Sequence, residues 1–447
     1  MAGCVTAVDR GPEKFADLAH KYAGTQPAAG TAHVSRWWEQ YNSAELDGLI
    51  EDAMTGNPGL HQTRKRLEQA AAIARKQLSS LLPDATITGE HDTERGSTHG
   101  PSTFALRGAA GYELDIWGKN RAGYRAKTLE SEAAVEDVRT GAITLSAAIV
   151  ESWLQFAALR EEEALLRHQI ETNAMALDLQ FDRYAHGAAG ALDVFQQREI
   201  LARAGALLPD ILADQEITRH RIAVLTGQNP SENLYLEIEK LPDALPLPDT
   251  GIPIQLLDNR PDIEAAWLRL HAADWDAEAA WAARLPSLQI DAGYSTTGTS
   301  AAKLFDLWTA NLAAALALPI IDGGERRAEE KRARAEAEEN LHSYRETVLT
   351  AIAEVEDALT RNHHQQDKIV AVDTQLEASR DALESAQHGY ANGNTDYLSV
   401  LNGMINVQAL ERQMVQEKRA LALDRIALYR ALGMKCWTDE VIVQAQR

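Results

Sequence analysis

The chain is 447 residues long, has a formal net charge of -22 and contains two cysteines, Cys4 and Cys436. The acidic balance argues against nucleic-acid binding, because phosphate binding requires clustered Lys and Arg. Two cysteines exclude a disulfide framework and a four-cysteine zinc site.

The first predicted segment, residues 1–36, is a tail without a clear hydrophobic period. It begins with Met1-Ala2-Gly3-Cys4, which resembles the end of a bacterial lipoprotein signal, where small residues precede the acylated cysteine. We therefore expect Cys4 to carry a lipid anchor such as palmitate. The alternative is a cysteine without a role.

The first half, residues 37–228, is predicted to contain a helix, a β-hairpin and two further helices. A helical pattern begins at about Ser43, and Asn57-Pro58 begins the next helix, because proline suits the first helical turn. Thr- and Gly-rich runs flank a turn-like stretch, His91–Pro101, whose metal-ligand residue types we interpret as a solvated loop. The predicted ranges are about 84–116 for the hairpin, with strands about 84–94 and 102–115, then 119–184 for the long helix and 190–227 for the last helix.

A proline-rich stretch, residues 229–255, predicts an extended linker to the second half, residues 256–434. There, Leu288, Ile290 and Tyr294 alternate with polar residues, and this period of two predicts a strand with one apolar face. The predicted ranges are 287–319 for the hairpin, 323–390 for the long helix, 396–433 for the last helix and 435–447 for a C-terminal tail.

Each long helix carries small and apolar residues at steps of three and four, which indicates a heptad seam. The seam residues are Val138, Ala142, Leu145, Ile149, Ser152, Phe156 and Leu159 in the first half, and Ala337, Leu341, Tyr344, Val348, Ala351, Val355 and Ala358 in the second. At 1.5 Å per residue, each helix is about 100 Å long. Helices of globular proteins rarely reach this length.

The two halves repeat one plan. Tyr184-Ala185-His186-Gly187 recurs 206 residues later as Tyr390-Ala391-Asn392-Gly393. Upstream the interval is 203, as in Leu82-Pro83 and Leu285-Pro286, so a three-residue length change lies between positions 84 and 117. A period this long indicates a duplicated domain and not a solenoid.

The predicted strands suggest a membrane role. Each has roughly 10 residues, the length of a tilted strand that crosses a bilayer. Four strands cannot close a barrel, and open edges cannot sit in lipid. The sequence has no dinucleotide fingerprint, P-loop, His-Glu-x-x-His or Gly-x-Ser-x-Gly motif, so we predict no enzyme activity, catalytic residue, cofactor or metal site.

The run Tyr112-Glu113-Leu114-Asp115-Ile116-Trp117-Gly118-Lys119 resembles the strand-to-helix signature of the outer-membrane efflux proteins, the TolC-like factors of the NodT lipoprotein branch. Pro319-Ile320-Ile321-Asp322-Gly323-Gly324 is similar to the corresponding run of the second half, and the likeness covers about residues 35–434. The resemblance implies a mainly α protein with a small β part. It also implies a homotrimer with a twelve-stranded barrel in the Gram-negative outer membrane and a helical barrel in the periplasm, and it strengthens the expectation for Cys4.

The resemblance also implies two functional regions at the periplasmic end. Arg183, Tyr184, Gly187, Tyr390 and Gly393 would form the tips that dock a periplasmic adaptor protein. The positions of the pore constriction correspond to Leu398 and Asn402, where the family usually has an acid at the second position. Nearby Asp396 is the candidate for that charge, and three copies would raise its pKa by mutual repulsion.

The sequence thus predicts the passive exit duct of a tripartite efflux pump of the RND type for small toxic compounds. Its partners would be two further copies, an adaptor, an inner-membrane pump and outer-membrane lipid. Two alternatives are a duct for type I protein secretion and a soluble coiled-coil scaffold. The cargo leaves no signature in the sequence, because a wide, wet duct imposes few residue-level requirements.

Overall fold

The computed structural model of the chain describes residues 36–95, 99–232, 234–248 and 259–433. Cys4, Cys436 and the predicted tails up to residue 35 and from residue 434 lie outside the described residues. Within these ranges the helices are α1 (Ala44–Gly56), α2 (Pro58–Leu78), α3 (Lys119–Ala185), α4 (Ala191–Thr226), α5 (Pro261–Ala282), α6 (Glu325–Ala391) and α7 (Tyr397–Ala431). The strands are β1 (Asp84–Arg95), β2 (His99–Leu114), β3 (Ser287–Gly298) and β4 (Leu307–Ala317).

The strands form one antiparallel sheet in the order β1-β2-β3-β4. The predicted turn over His91–Pro101 is wrong, because β1 continues to Arg95 and β2 begins at His99. Polar residues extend the ladder here, and His91 lies opposite Phe104 with their rings stacked at 4.2 Å. Such a cross-strand aromatic contact stabilises a pair that composition alone would assign to a loop.

The register divides the sheet into an apolar face and a polar face. The apolar face carries Ile87 (79% exposed), Trp308 (61%), Leu312 (78%) and Leu316 (70%). The opposite face carries Thr88, Glu90, Arg107, Asp291, Ser295 and Thr309. Every residue of the edge strand β4 is exposed. A single chain therefore leaves a strand edge and a large apolar surface uncovered.

The predicted heptad seams lie in the core. All seven seam residues of α3 are buried, and so are those of α6 except Leu341, which is partly exposed. An 18-residue stretch of α3 has a mean hydropathy of 1.5, enough for a membrane span by composition, but 78% of it is buried inside the structure. Its packing is that of a core helix.

The shorter helices stack end to end beside the long ones. Where α4 ends and α2 begins, the side-chain amide of Asn57 donates to the carbonyl oxygen of Leu225 at 2.8 Å. In the second half, Arg260 Nη1 donates to the carbonyl oxygen of Ala431 at 2.9 Å, where α7 ends and α5 begins. Each half therefore runs along one helix about 100 Å long with two shorter helices packed against it.

The described part of the predicted linker, residues 229–232 and 234–248, is irregular, and several of its side chains are packed. Leu236 and Leu245 are buried in the main core, which also holds Trp37 and Tyr429 stacked at 5.3 Å. The Tyr429 hydroxyl donates to the carbonyl oxygen of Pro246 at 3.1 Å. Residues 234–247 of the connection thus contribute to the hydrophobic core near the middle of the long helices.

Candidate functional site

Each half contains a helical hairpin, formed by α3 and α4 in the first half and by α6 and α7 in the second. The tips of both helical hairpins have the same turn. Gly187 and Gly393 adopt positive φ angles of 72° and 74° just after α3 and α6. The amide of Ala188 donates to the carbonyl of Arg183 at 2.7 Å, and the Gly187 amide donates to the carbonyl of Tyr184 at 3.0 Å. These bonds form a Schellman motif, which needs a left-handed residue after the helix and therefore favours glycine.

The first tip exposes apolar side chains. Phe181 and Tyr184 at the end of α3 are 49% and 51% exposed, and Leu192 and Phe195 at the start of α4 are 66% and 63% exposed. Residues three apart lie on one helix face, so each pair forms an apolar patch. In the second half, the position 206 residues after Phe181 is Gln387, so this apolar patch is not duplicated.

Polar contacts join the two tips. The Arg183 guanidinium carbon lies 4.5 Å from the centre of the Tyr390 ring, within the range of a cation–π interaction. The Tyr390 hydroxyl donates to Gln180 Oε1 at 3.2 Å, and the Tyr397 hydroxyl donates to Gln197 Oε1 at 2.8 Å. Burial raises the pKa of Tyr397 to about 12, so this hydroxyl stays a hydrogen-bond donor at neutral pH.

Above the tips, α3 and α7 meet through polar side chains. Gln169 donates to the Gln408 carbonyl at 3.2 Å, and the side-chain amides of Asn173 and Gln408 exchange bonds of 3.2 and 3.3 Å. Gln416 donates to Glu162 at 3.0 Å. By contrast, the contact between α6 and α7 is lined by apolar residues: Val372, Leu376, Val407, Leu410 and Met414. The two helical hairpins thus meet through exchangeable hydrogen bonds, next to an apolar cluster in which Ile200 packs with Val400 and Leu401.

The role of these amides was not predicted from the sequence, because polar residues on a helix usually face solvent. The available signal was the seven-residue spacing of Gln155, Glu162 and Gln169, which keeps them on one face of a supercoiled helix.

The candidate gate residues lie at the start of α7. Leu398 is 47% exposed and Asn402 is exposed, and their spacing of four places them on one face. Asp396 caps the helix by accepting from the Ser399 amide at 3.1 Å and the Ser399 hydroxyl at 2.8 Å. These bonds favour the ionised carboxylate and lower the pKa of Asp396, which opposes the repulsion expected from three copies.

The strand-to-helix signatures connect the sheet to the helices. Gly118 and Gly324 precede α3 and α6 with φ angles of 79° and 93°, and Gly323 also has positive φ at 67°. Asp115 accepts from the amides of Asn120 and Arg121, at 3.1 and 2.9 Å.

Asp322 plays a similar part before α6, accepting from the Gly324 and Arg326 amides at 2.9 and 3.4 Å. Trp117 Nε1 donates to the Pro286 carbonyl at 2.7 Å and so ties the first half to the second. Tyr112 is partly buried in β2 opposite Ile290. The contacts of these signature residues are structural. Within the described ranges, no three His, Cys, Asp or Glu side chains converge as metal ligands.

A family model described as outer membrane efflux protein matches residues 49–228 and 252–434. The chain belongs to the outer membrane efflux protein family. This efflux protein is 32% identical to the pyoverdine export outer membrane protein OpmQ of Pseudomonas aeruginosa, over 91% of this chain and 89% of OpmQ. It is 25% identical to nodulation protein T of Rhizobium leguminosarum bv. trifolii, over 97% of this chain and 95% of that protein.

Among solved structures, the outer-membrane channel OprN superposes on the efflux protein with a TM-score of 0.85 at 28% identity, covering 93% of this chain and 96% of OprN. The predicted family and fold class are therefore confirmed, as is the predicted role as the outer-membrane channel of an efflux system. Family membership sets aside the scaffold alternative.

Proposed function

We propose that three copies of the chain close into one duct that crosses the outer membrane and extends into the periplasm. The observation that carries this proposal is the four-stranded sheet with one exposed apolar face, one polar face and two open edges. A lipid-facing barrel requires this division of faces and requires every edge to be paired. Three copies supply twelve strands, which satisfies both requirements.

The long helices form the periplasmic part of the duct, and an adaptor protein docks at their tips. The exposed Phe181, Tyr184, Leu192 and Phe195 supply an apolar surface suited to an amphipathic helical hairpin. An inner-membrane pump of the RND type supplies the energy, and small toxic compounds leave passively through the duct. Export of pyoverdine by OpmQ, as its name states, supports a small-molecule cargo. In the cell, Cys4 anchors the chain to outer-membrane lipid.

The tip contacts hold the periplasmic end closed. Arg183 and Gln180 on the first hairpin contact Tyr390 on the second, so the hairpins cannot separate without breaking these bonds. Leu398, with Asp396 and Asn402 beside it, forms the constriction. Opening proceeds by a shear between the hairpins across the α3–α7 contact, where polar partners exchange at little cost.

Reconstitution tests the duct directly. Purified protein is added to planar bilayers, and single-channel conductance is compared between the wild type and a Leu398→Gly/Asp396→Ala variant. We expect the wild type to form channels and the variant to conduct more. Unchanged conductance places the constriction elsewhere, while a water-soluble monomer that forms no channel contradicts the duct itself. Mass spectrometry of the N-terminus from cells making the protein with a complete signal tests the anchor, and an unmodified Cys4 contradicts it.

A further inference from the structure

The strand pairs of the two β-hairpins are related by the same intervals as the sequence repeat, 203 residues for the first strand and 206 for the second. Within the first hairpin, Asp84 pairs with Gly111. Moving Asp84 by 203 residues and Gly111 by 206 gives Ser287 and Ala317, which pair in the second hairpin. The three-residue difference therefore lies in the loops between the paired strands, where β3 and β4 are separated by the longer connection.

The helices below the sheet follow the same rule. Asn120 on α3 donates its side-chain amide to the Ser80 carbonyl at 3.2 Å. At the positions 206 and 203 residues later, Arg326 on α6 donates to the Ala283 carbonyl at 2.9 Å. The same contact is thus made by different side chains in the two halves, so the repeat is a property of the three-dimensional structure.

The two halves meet inside the chain through β2 with β3 and α3 with α5. The chain therefore has two free edges. One is formed by β1 and α2, and the other is formed by β4 and α6. The free β4 is the repeat equivalent of β2, and the free β1 is the equivalent of β3. We infer that β4 of one copy pairs with β1 of the next in the register that β2 and β3 show within the chain. The inference rests on the proposed function and adds a residue-by-residue register to it.

Applying the two intervals to the observed pairs gives this register. The pairs Leu106↔Thr296, Arg107↔Ser295, Ala109↔Gly293 and Tyr112↔Ile290 are observed between β2 and β3. Their equivalents between copies are Leu312↔Thr93, Ala313↔Asp92, Ala315↔Glu90 and Leu318↔Ile87. The last pair extends β4 by one residue beyond Ala317, up to the residue before Pro319, which lacks an amide donor.

The faces of the sheet provide an independent check. Leu312, Thr93, Leu318 and Ile87 all lie on the apolar side of this register, and Leu318 and Ile87 are 53% and 79% exposed in the single chain. Asp92 and Glu90 fall on the polar side, with Ala313 and Ala315. A register shifted by one residue would place Leu312 opposite Asp92 and Leu318 opposite Thr86, setting apolar-face positions against polar-face positions, because successive side chains point to opposite faces.

Cysteine pairs test the register in the full-length chain with Cys436→Ser. The matched pair is Ala315→Cys with Glu90→Cys, and the shifted pairs combine Ala315→Cys with Thr88→Cys or Asp92→Cys, which lie on the same face. A disulfide requires Cα atoms within about 7 Å, whereas β1 and β4 of one chain are three strand spacings, about 14 Å, apart. Cross-links therefore form only between copies.

After mild oxidation in detergent, we expect the matched pair to give on the order of ten-fold more covalent trimer than either shifted pair, because a two-residue shift adds about 7 Å along the strand. Ala313→Cys with Asp92→Cys is a second matched pair, which guards against a folding defect at Glu90. A trimer that cross-links best through a shifted pair overturns the register and leaves the duct intact. A monomer without cross-links in any pair overturns the proposed function as well.

Discussion

Glycine is required for two different reasons at the ends of the helices. At the tip, Gly393 has a φ of 74°, and a Cβ added there would meet no atom within 4 Å. At the end of α4, Gly227 has a φ of 77°, and its Cβ would lie 2.1 Å from the Gly56 carbonyl oxygen. The first glycine satisfies a backbone conformation, and the second also lets α4 approach the chain before α2.

Alanine substitutions separate these two requirements. Gly393→Ala costs about 1 kcal/mol, the strain of an L-residue in the left-handed region. Gly227→Ala adds a backbone clash, so we expect a loss of more than about 2 kcal/mol. The apparent melting temperature in detergent, followed by circular dichroism at one scan rate, measures both. Equal losses for the two variants would show that the Gly227–Gly56 approach is not a tight contact.

At this scale the repeat made Gly187 and Gly393 predictable, because a motif that occurs twice at a helix end indicates a turn. The amides of Gln169, Asn173 and Gln408 were not predictable in the same way. Their burial depends on which helix of the other half lies beside α3, and that is a long-range property of the packing. The same applies to Tyr390, whose place in the turn motif indicates nothing about Arg183 as its partner.

At the scale of elements, each hairpin buries a carboxylate between its two helices. Glu163 on α3 accepts from Gln215 on α4 at 2.8 Å, and Glu417 on α7 accepts from Gln365 on α6 at 2.8 Å. Lys368 also contacts Glu417 at 2.8 Å. Burial by itself raises the pKa of Glu417, but the hydrogen bonds from Lys368, Gln365 and Gln413 outweigh it, and the pKa is lowered.

The stabilisation by Glu417 should therefore depend on pH with a definite sign. Because the folded-state pKa lies below that of the unfolded chain, the stabilisation is complete above the ordinary pKa of glutamate, about 4.3, and is lost as pH falls through the folded-state value. At pH 7, Glu417→Gln should cost about 1 kcal/mol, with Lys368 still partly hydrated. Melting temperatures of wild type and variant should converge in acid.

The exposed Glu377→Gln on α6 is the matched control, and its melting temperature should follow the wild type at every pH. A melting-temperature difference between Glu417→Gln and the wild type that stays constant down to the acid limit would mean that the carboxylate charge contributes nothing.

The sequence predicted the long helices within a few residues because their heptad pattern is local. The turn of the first β-hairpin was predicted too long, because His91 and Phe104 stabilise the strands only when they face each other across them.

At the scale of the whole molecule, the tip contacts add to the α3–α7 hydrogen bonds that join the two helical hairpins. In the proposed gating mechanism, opening breaks the contact of Arg183 with the Tyr390 ring and the Tyr390–Gln180 hydrogen bond. Each is worth on the order of 1 kcal/mol. The proposed closed state is therefore favoured by an amount that single substitutions can change measurably.

The combined Arg183→Ala/Tyr390→Phe change should shift the opening equilibrium by roughly 30-fold per chain, since the two lost contacts total about 2 kcal/mol and each 1.4 kcal/mol corresponds to a factor of ten. Single-channel recordings should show higher conductance or longer openings. Asn392→Ala is the control, because Asn392 bonds only to His388 of its own helix among the contacts described for it. Equal conductance in the variant and the control would remove the tip contacts from the gating mechanism.

The buried connection between the halves also affects the integrity of the molecule. The Leu241 amide donates to Glu161 at 2.9 Å, and Tyr429 holds the Pro246 carbonyl. Hydrogen bonds thus hold the connection to the first half before residues 242–245 and to the second half after them. A protease nick there would leave the two fragments associated, and the duplicated gene could be split at this point into separately translated pieces that reassemble.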